Sequence, residues 1–147
     1  MNDALLHSGE ETAALGAAVA AALAGRPGAV VYLEGPLGAG KTTLARGLLR
    51  ALGVRGAIRS PTYTLLEPYD IPAGTLVHLD LYRLADGREL EPLGLRDYPP
   101  ERCWWLVEWP ERARDRLPAP DLHIRLAHDP GGRRVVLEGP VAAAVGL

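Results

Sequence analysis

The segment that most constrains this chain is Gly35-Pro36-Leu37-Gly38-Ala39-Gly40-Lys41-Thr42, which matches the pattern G-x-x-x-x-G-K-[ST]. A short apolar run at 29–33 precedes it and predicts a buried strand. The stretch from Leu44 to Gly53 follows it, with apolar residues at helical spacing and a glycine at its end, and predicts an amphipathic helix. Strand, glycine-rich loop and helix in this order are the context of a phosphate-binding loop.

Lys41 is the only lysine in the 147 residues, whereas arginine occurs 15 times. Arginine replaces lysine at most solvated sites but not in a tight phosphate cradle, where its planar guanidinium is too large. We therefore expect Lys41 to bridge the β- and γ-phosphates of a nucleotide and the Thr42 hydroxyl to bind Mg²⁺. The backbone N–H groups of the loop and the helix N-terminus would face the phosphates. The residues predicted to hold the phosphates are Pro36, Leu37, Gly38, Ala39, Gly40, Lys41, Thr42 and Thr43.

The remaining segments predict strands on both sides of this loop. An alanine-rich helix is predicted from Thr12 to Gly25, with Ser8 and Glu11 as its capping box. The fold class expected is α/β, a single P-loop NTPase-like domain over residues 1–147 with three layers and a mixed central sheet. The other predicted elements are a strand from Ser60–Thr64 to about Tyr69, strands at 75–79 and 103–107, a short helix from Glu89 to Leu95, a solvated helix face at 111–116, and a hairpin of 122–127 with 133–138.

Two acidic residues follow apolar strands, the position where open α/β sheets place their ligands. Glu108 follows five apolar residues, as the acidic member of a Walker-B element does, and Asp80 follows the strand at 75–79. A phosphate-loop site needs such a carboxylate to hold the Mg²⁺ shell and to orient the attacking water. Either residue could position the water, and the sequence leaves that choice open. His78 is interpreted as a structural histidine.

Two further segments are candidates for switching or partner contact. Ser60, Pro61, Thr62, Tyr63 and Thr64 offer three hydroxyls and a tyrosine, which is typical of a segment that senses the γ-phosphate. The same residues are equally consistent with a strand that begins at a rigid proline. Trp109 follows Glu108 at the mouth of the predicted site, where an exposed tryptophan would anchor a partner.

Composition narrows the ligands and the compartment. The net charge of −2 gives no bulk attraction for nucleic acid. The single cysteine fits a reducing cytosol, and the alanine-rich run has no basic leader and is too short to span a bilayer. Guanine-specific GTPases use an N-K-x-D element, which would require a second lysine. ATP is therefore the expected nucleotide, in a cytoplasmic protein without membrane or DNA partners.

Four blocks occur in order along the chain: E-G-P-L-G-A-G-K-T-T, S-P-T-Y-T-L, H-L-D-L-Y-R-L and V-E-W-P-E-R. In this arrangement the sequence resembles the bacterial TsaE (YjeE) family, the ATPase component of the tRNA threonylcarbamoyladenosine system. The resemblance extends from about Ser8 to Leu137. The phosphate loop alone is generic, whereas the other three blocks are specific to the family.

The resemblance implies an ATPase of low activity alone that works with TsaB and TsaD and meets tRNA only indirectly, through that complex. ATP turnover would reset the complex between rounds of modification. The resemblance further implies that Lys41 and Thr42 bind phosphate and Mg²⁺, that Glu108 joins the Mg²⁺ shell, and that Asp80 is a catalytic acid. By the same resemblance Ser60–Thr64 becomes the switch, Thr12 and Arg133 lie near the base and sugar, and Trp109 lies beside the site.

Two other functions fit a compact phosphate-loop protein. A small-molecule kinase would need a lid with arginines over the transferred phosphate, and the chain shows no obvious insertion of that kind. A nucleotide-gated binding module would bind ATP without having to hydrolyse it. The presence of Asp80 and Glu108 favours hydrolysis.

Overall fold

The fold is seen in a computed structural model that describes residues 2–59, 61 and 64–147. It contains two α-helices and one seven-stranded sheet within these residues. The helices are α1 (Gly9–Ala22) and α2 (Lys41–Ala51), and the strands are β1 (Asn2–Leu6), β2 (Ala29–Glu34), β3 (Leu66–Ile71), β4 (Gly74–Asp80), β5 (Cys103–Glu108), β6 (Leu122–Asp129) and β7 (Gly132–Glu138).

The sheet is mixed, with the strand order β1-β7-β6-β2-β5-β4-β3. The four strands β6, β2, β5 and β4 run parallel at its centre, and the other three add antiparallel edges. All six residues of β5 are buried, as expected for a parallel strand that is covered on both faces. The register pairs Glu108 with Leu33 on one side and with Asp80 on the other. The carboxyl ends of β2, β5 and β4 therefore meet at one edge.

Different elements cover the two faces of the sheet. On one face Val31, Leu33 and Leu106 pack in the core with residues of α1 and α2. On the other face Tyr32 and Trp105 pack with residues of the irregular segments before and after β5, at 81–98 and 109–117. The helices, the sheet and these irregular segments make three layers, so the predicted α/β fold class is confirmed.

Two glycines allow α1 and α2 to cross closely. A Cβ atom at Gly16 would lie 2.3 Å from the carbonyl oxygen of Leu44, and one at Gly47 would lie 2.3 Å from that of Ala13. Any larger residue would push the helix backbones apart. The contact matters for the site because it fixes α2, which begins at Lys41.

The N-terminal elements differ from the prediction in part. The strand β1 was not predicted, and it forms by antiparallel pairing with β7. The helix α1 begins at Gly9 and ends at Ala22, and the Ser8 hydroxyl accepts a hydrogen bond from Glu11 N (3.1 Å) as predicted. The Glu11 carboxylate, however, accepts from the backbone N–H of His7 and not from Ser8.

Three further boundaries differ. The strand predicted from the 60–64 segment begins only at Leu66, and it continues to Ile71. The short helix predicted at 89–95 is present as a 3-10 helix at Gly87–Leu93. A second 3-10 helix at Leu95–Asp97 follows, separated from it by Gly94 with a φ of 73°. The predicted helix face at 111–116 is instead two 3-10 turns. No helix among the described residues is long and apolar enough to cross a membrane.

Candidate active site

The phosphate-loop segment connects β2 to α2 at the carboxyl edge of the parallel strands. Gly38 and Gly40 have φ values of 78° and 106°, which residues with a Cβ rarely adopt. Gly40 caps α2 without a side-chain hydrogen bond, so no side chain of the cap covers the N–H groups of the first turn. The loop therefore presents backbone donors and a positive helix end to the space in front of it.

Lys41 lies in the first turn of α2 and is 6% exposed. Its Nζ donates a hydrogen bond to the carbonyl of Gly35 and lies 3.8 Å from the centroid of the Trp109 ring. Burial lowers the pKa of Lys41, and the nearby carboxylates, Glu108 and Asp80 first, oppose that shift. The ammonium group is thus held against a carbonyl and an aromatic face within reach of two acids.

Asp80 and Glu108 lie opposite each other at the ends of β4 and β5. Glu108 is 4% exposed, and Asp80 is half-buried with Oδ1 accepting from Tyr82 N at 3.0 Å. Burial raises the pKa of Asp80, and the charge of Glu108 raises it further. Two carboxylates so placed can share a cation or divide the roles of metal ligand and proton acceptor.

A histidine completes this acidic corner. His78 Nε2 lies 2.7 Å from Glu108 Oε2, and both residues are buried. His78 Nδ1 is also buried and has no hydrogen-bond partner among the described residues. The two residues and Thr42 line one small cavity of about 10 Å³.

Trp109 closes one side of the site. Its backbone is left-handed, with φ 57° and ψ 49°, a conformation that costs a residue with a Cβ about 1–2 kcal/mol. The ring lies 4.9 Å from the Tyr82 ring and 5.7 Å from the Arg112 guanidinium. Trp109 is half-buried, so part of its surface faces solvent, and its role as a partner anchor stays a prediction.

Two adjoining cavities lie at this edge. The larger has a volume of about 480 Å³, within the range of small-molecule sites. The smaller, of about 240 Å³, shares Gly40, Thr43 and Arg133 with it and reaches Thr12. The larger cavity is lined by Leu37, Gly38, Gly40, Lys41, Thr42, Thr43, Asp80, Tyr82, Arg83, Glu108, Trp109 and Arg133.

The two cavities bring together most of the predicted site residues. Pro36 and Ala39 belong to the loop but line neither cavity, and Ala39 is part of the core. Pro61 is buried and Thr64 is exposed, and neither lines the two cavities. The predicted switch residues Ser60, Thr62 and Tyr63 lie outside the described residues.

Sequence reasoning missed three side chains of this region. Tyr82, the neighbour of Arg83 in the H-L-D-L-Y-R-L block, lines the larger cavity, and its ring contacts the Trp109 ring at an angle of 47°. His7 lines the smaller cavity. His78 was interpreted as structural, although its spacing of two residues from Asp80 puts both side chains on the same face of β4. The alternation of side chains along a strand could therefore have placed His78 near the predicted acid Asp80.

The fold and the site define a phosphate-loop α/β domain with an acidic corner opposite the loop. The family model described as "Threonylcarbamoyl adenosine biosynthesis protein TsaE" matches residues 6–136. The chain therefore belongs to the TsaE family.

Individual relatives agree with this assignment. A Haemophilus influenzae protein named "tRNA threonylcarbamoyladenosine biosynthesis protein TsaE" is 46% identical over 108 residues, 74% of this chain and 68% of that protein. A Bacillus subtilis protein of the same name is 43% identical over 115 residues, 78% of this chain and 70% of that protein. The crystal structure of Bacillus subtilis YdiB matches with a TM-score of 0.75 at 29% identity, covering 98% of this chain and 90% of that one.

Proposed function

We propose that the chain binds ATP with Mg²⁺ and hydrolyses it slowly, as an accessory subunit that works with TsaB–TsaD in threonylcarbamoyladenosine modification of tRNA. One observation carries the nucleotide chemistry. Lys41 at the start of α2 and the carboxylates Asp80 and Glu108 at two strand ends line one cavity in front of the phosphate loop. Membership of the TsaE family supports the pathway.

The two cavities suggest how a nucleotide would lie. The phosphates fit the larger cavity, where the loop donors and Lys41 converge. The nucleoside fits the smaller cavity, which is bounded by Thr12 of α1 and shares Arg133 of β7. Because the cavities meet at Gly40 and Thr43, one molecule can occupy both. This placement agrees with the expected roles of Thr12 and Arg133 near the base and sugar.

The oxygen atoms of the site fit Mg²⁺. Thr42 offers a hydroxyl, and Glu108 and Asp80 offer carboxylates, all in the larger cavity. No cluster of three His, Cys, Asp or Glu residues in the described ranges could hold a metal alone. Two carboxylates and a hydroxyl fit Mg²⁺, which is usually bound by one or two carboxylates together with substrate phosphates. When bound, the ion would neutralise charge that develops on the phosphate oxygens.

The contacts of Lys41 suggest a reason why the protein would hydrolyse ATP only slowly without its partners. Lys41 is hydrogen-bonded to Gly35 and stacked under Trp109, so it must change partners before it can reach a γ-phosphate. Asp80, whose pKa is raised by burial and by Glu108, is suited to accept a proton from a water molecule. A partner that moves Trp109 would free Lys41 and speed turnover.

Substitution of Glu108 separates a hydrolysing ATPase from a nucleotide-gated module. Glu108→Gln keeps the side-chain shape but removes the charge. We expect it to bind ATP and to lose turnover by about 10²-fold or more, together with tRNA modification by the purified components. The measurements are ATP binding by calorimetry, phosphate release, and threonylcarbamoyladenosine content of the tRNA, with the melting temperature checking that the variant folds.

Three results would refute parts of this proposal. Full tRNA modification by Glu108→Gln would favour the binding module. Rapid multi-turnover phosphorylation of a metabolite by the isolated wild-type protein would favour a kinase. Absence of ATP binding by the wild-type protein would remove the nucleotide site altogether.

A further inference from the structure

The hydrogen bond between His78 and Glu108 joins two buried side chains of the site, and the proposed ATP chemistry assigns no role to His78. The two atoms are 2.7 Å apart, and the side chains are 4% and 5% exposed. A buried carboxylate without a partner is costly, so a contact of this kind fixes where the carboxylate points.

The strand register explains why the pair forms. Asp80 lies directly opposite Glu108, while His78 lies opposite Leu106. His78 is therefore the diagonal neighbour of Glu108 on the same face of the sheet, within reach of a long side chain. Like charges directly opposite each other repel, so Glu108 would turn away from Asp80 if nothing held it. His78 supplies the group that holds it.

We propose that His78 is a positioning residue that orients the Glu108 carboxylate toward the Mg²⁺ bound with ATP. The inference rests on the proposed function, because it assigns His78 a role toward the cation of that site. Carboxylates that bind metals are themselves hydrogen-bonded by neighbouring groups, and loss of such a group costs about 10–100-fold in metal affinity or activity.

The proposal requires one particular tautomer of His78. Glu108 Oε2 accepts a hydrogen bond when the carboxylate is ionised, so Nε2 carries the proton. Nδ1 is then a bare acceptor, in agreement with its lack of a partner among the described residues. With the proton on Nδ1 instead, that buried N–H would have no acceptor. The lone pair of Nε2 would then face a lone pair of the Glu108 carboxylate oxygen and be repelled by it.

Three substitutions test the role. His78→Gln places an amide nitrogen where Nε2 stood, whereas His78→Asn places it near Nδ1 and out of reach of Glu108. His123→Asn is a matched control, because His123 forms a second His–Glu pair with Glu34 (3.1 Å) that does not line either cavity. The readout is ATP binding by calorimetry in EDTA and over a range of Mg²⁺ concentrations.

We expect His78→Asn to weaken Mg²⁺ binding in the ATP complex by about 10–100-fold, with ATP binding in EDTA unchanged. His78→Gln and His123→Asn should stay close to the wild type in both measurements. Wild-type Mg²⁺ affinity in His78→Asn, or an equal loss in His78→Gln, would overturn the proposal.

A nitrogen-15 NMR spectrum of the wild-type imidazole rings gives a second test that needs no variant. A proton on Nε2 of His78 supports the proposal, and a proton on Nδ1 alone overturns it. This measurement decides even if His78→Asn does not fold. The NMR measurement also separates the role of His78 from the proposed function. A wild-type protein that binds no ATP would refute the proposed function, whichever nitrogen of His78 carries the proton.

Discussion

At the scale of single residues, the site concentrates opposite charges in a poorly hydrated corner. Burial lowers the pKa of Lys41 and raises the pKa of Asp80, so both groups are less stable in their charged forms than in water. The charge of each residue partly offsets the pKa shift that burial causes in the other. This is the pattern of a functional site, where groups are held for a ligand and not for stability.

Asp80→Asn should therefore stabilise the protein at neutral pH. The pKa of Asp80 is raised above its ordinary value of 3.8, first by burial and then by Glu108. The folded state thus favours the protonated carboxyl, and stability is lost as pH rises from about 3.8 through the folded pKa. Asparagine can still accept the Tyr82 N–H through its carbonyl oxygen.

Thermal unfolding at pH 7 and at pH 3.5 checks this. The variant should melt above the wild type at pH 7, and the difference should disappear at the lower pH. Asp70→Asn, on an exposed position of β3, controls for loss of a carboxylate in general. A variant less stable than the wild type at pH 7 would show that the attraction of Asp80 to Lys41 outweighs the cost of its burial.

At the scale of elements, the close crossing of α1 and α2 links the core to the site. The two glycines at the crossing let backbone carbonyls approach within contact distance. Since α2 carries Lys41 and Thr42 in its first turn, a shift of this helix moves the phosphate-binding groups relative to Asp80 and Glu108. Packing at the crossing therefore sets the geometry of the site.

Gly47→Ala should destabilise the fold by about 1–3 kcal/mol, the usual cost of overpacking. The three atoms nearest to its Cβ would be backbone atoms of Ala13, at 2.3 to 2.9 Å, and these cannot move aside as the end of a side chain could. Alanine favours a helix over glycine by about 1 kcal/mol, so a net loss must come from the clash. Chemical unfolding measures the change in the free energy of unfolding.

Gly9→Ala is the matched control, since Gly9 also lies in a helix and a Cβ there meets nothing within 4 Å. It should leave the free energy of unfolding unchanged or slightly raised. ATP affinity should also fall in Gly47→Ala. Gly9→Ala serves as the control for stability alone, because Gly9 lines the smaller cavity where the nucleoside is proposed to lie. Equal stability of the two variants would mean that the helices can separate without cost.

At the scale of the whole molecule, local patterns predicted the centre of the fold well. The apolar run of β2, the glycine loop and the amphipathic helix α2 are each specified by adjacent residues. The strands that end in Asp80 and Glu108 were predicted for the same reason. Elements that depend on distant partners were not: β1 exists through pairing with β7, at the other end of the chain.

The candidate site, like the fold, was predictable where local patterns mark its residues. The loop and both acids could be named from sequence, because spacing and strand ends mark them. The contact of His78 with Glu108 and the stacking of Trp109 on Lys41 depend on strand register and on a left-handed backbone, which no local pattern encodes. The short helix predicted at 89–95 forms as two 3-10 helices, because Pro92 and Gly94 interrupt an α-helical pattern there.

The most direct test of the proposed function is ATP hydrolysis by the purified protein, alone and with TsaB–TsaD, with Lys41→Ala as control. We expect the protein to hydrolyse ATP slowly without its partners and at a different rate when they are added. The Lys41→Ala variant should still fold but should show no hydrolysis under either condition. Hydrolysis that ignores the partners, or that survives in Lys41→Ala, would contradict a phosphate-loop ATPase that serves this complex.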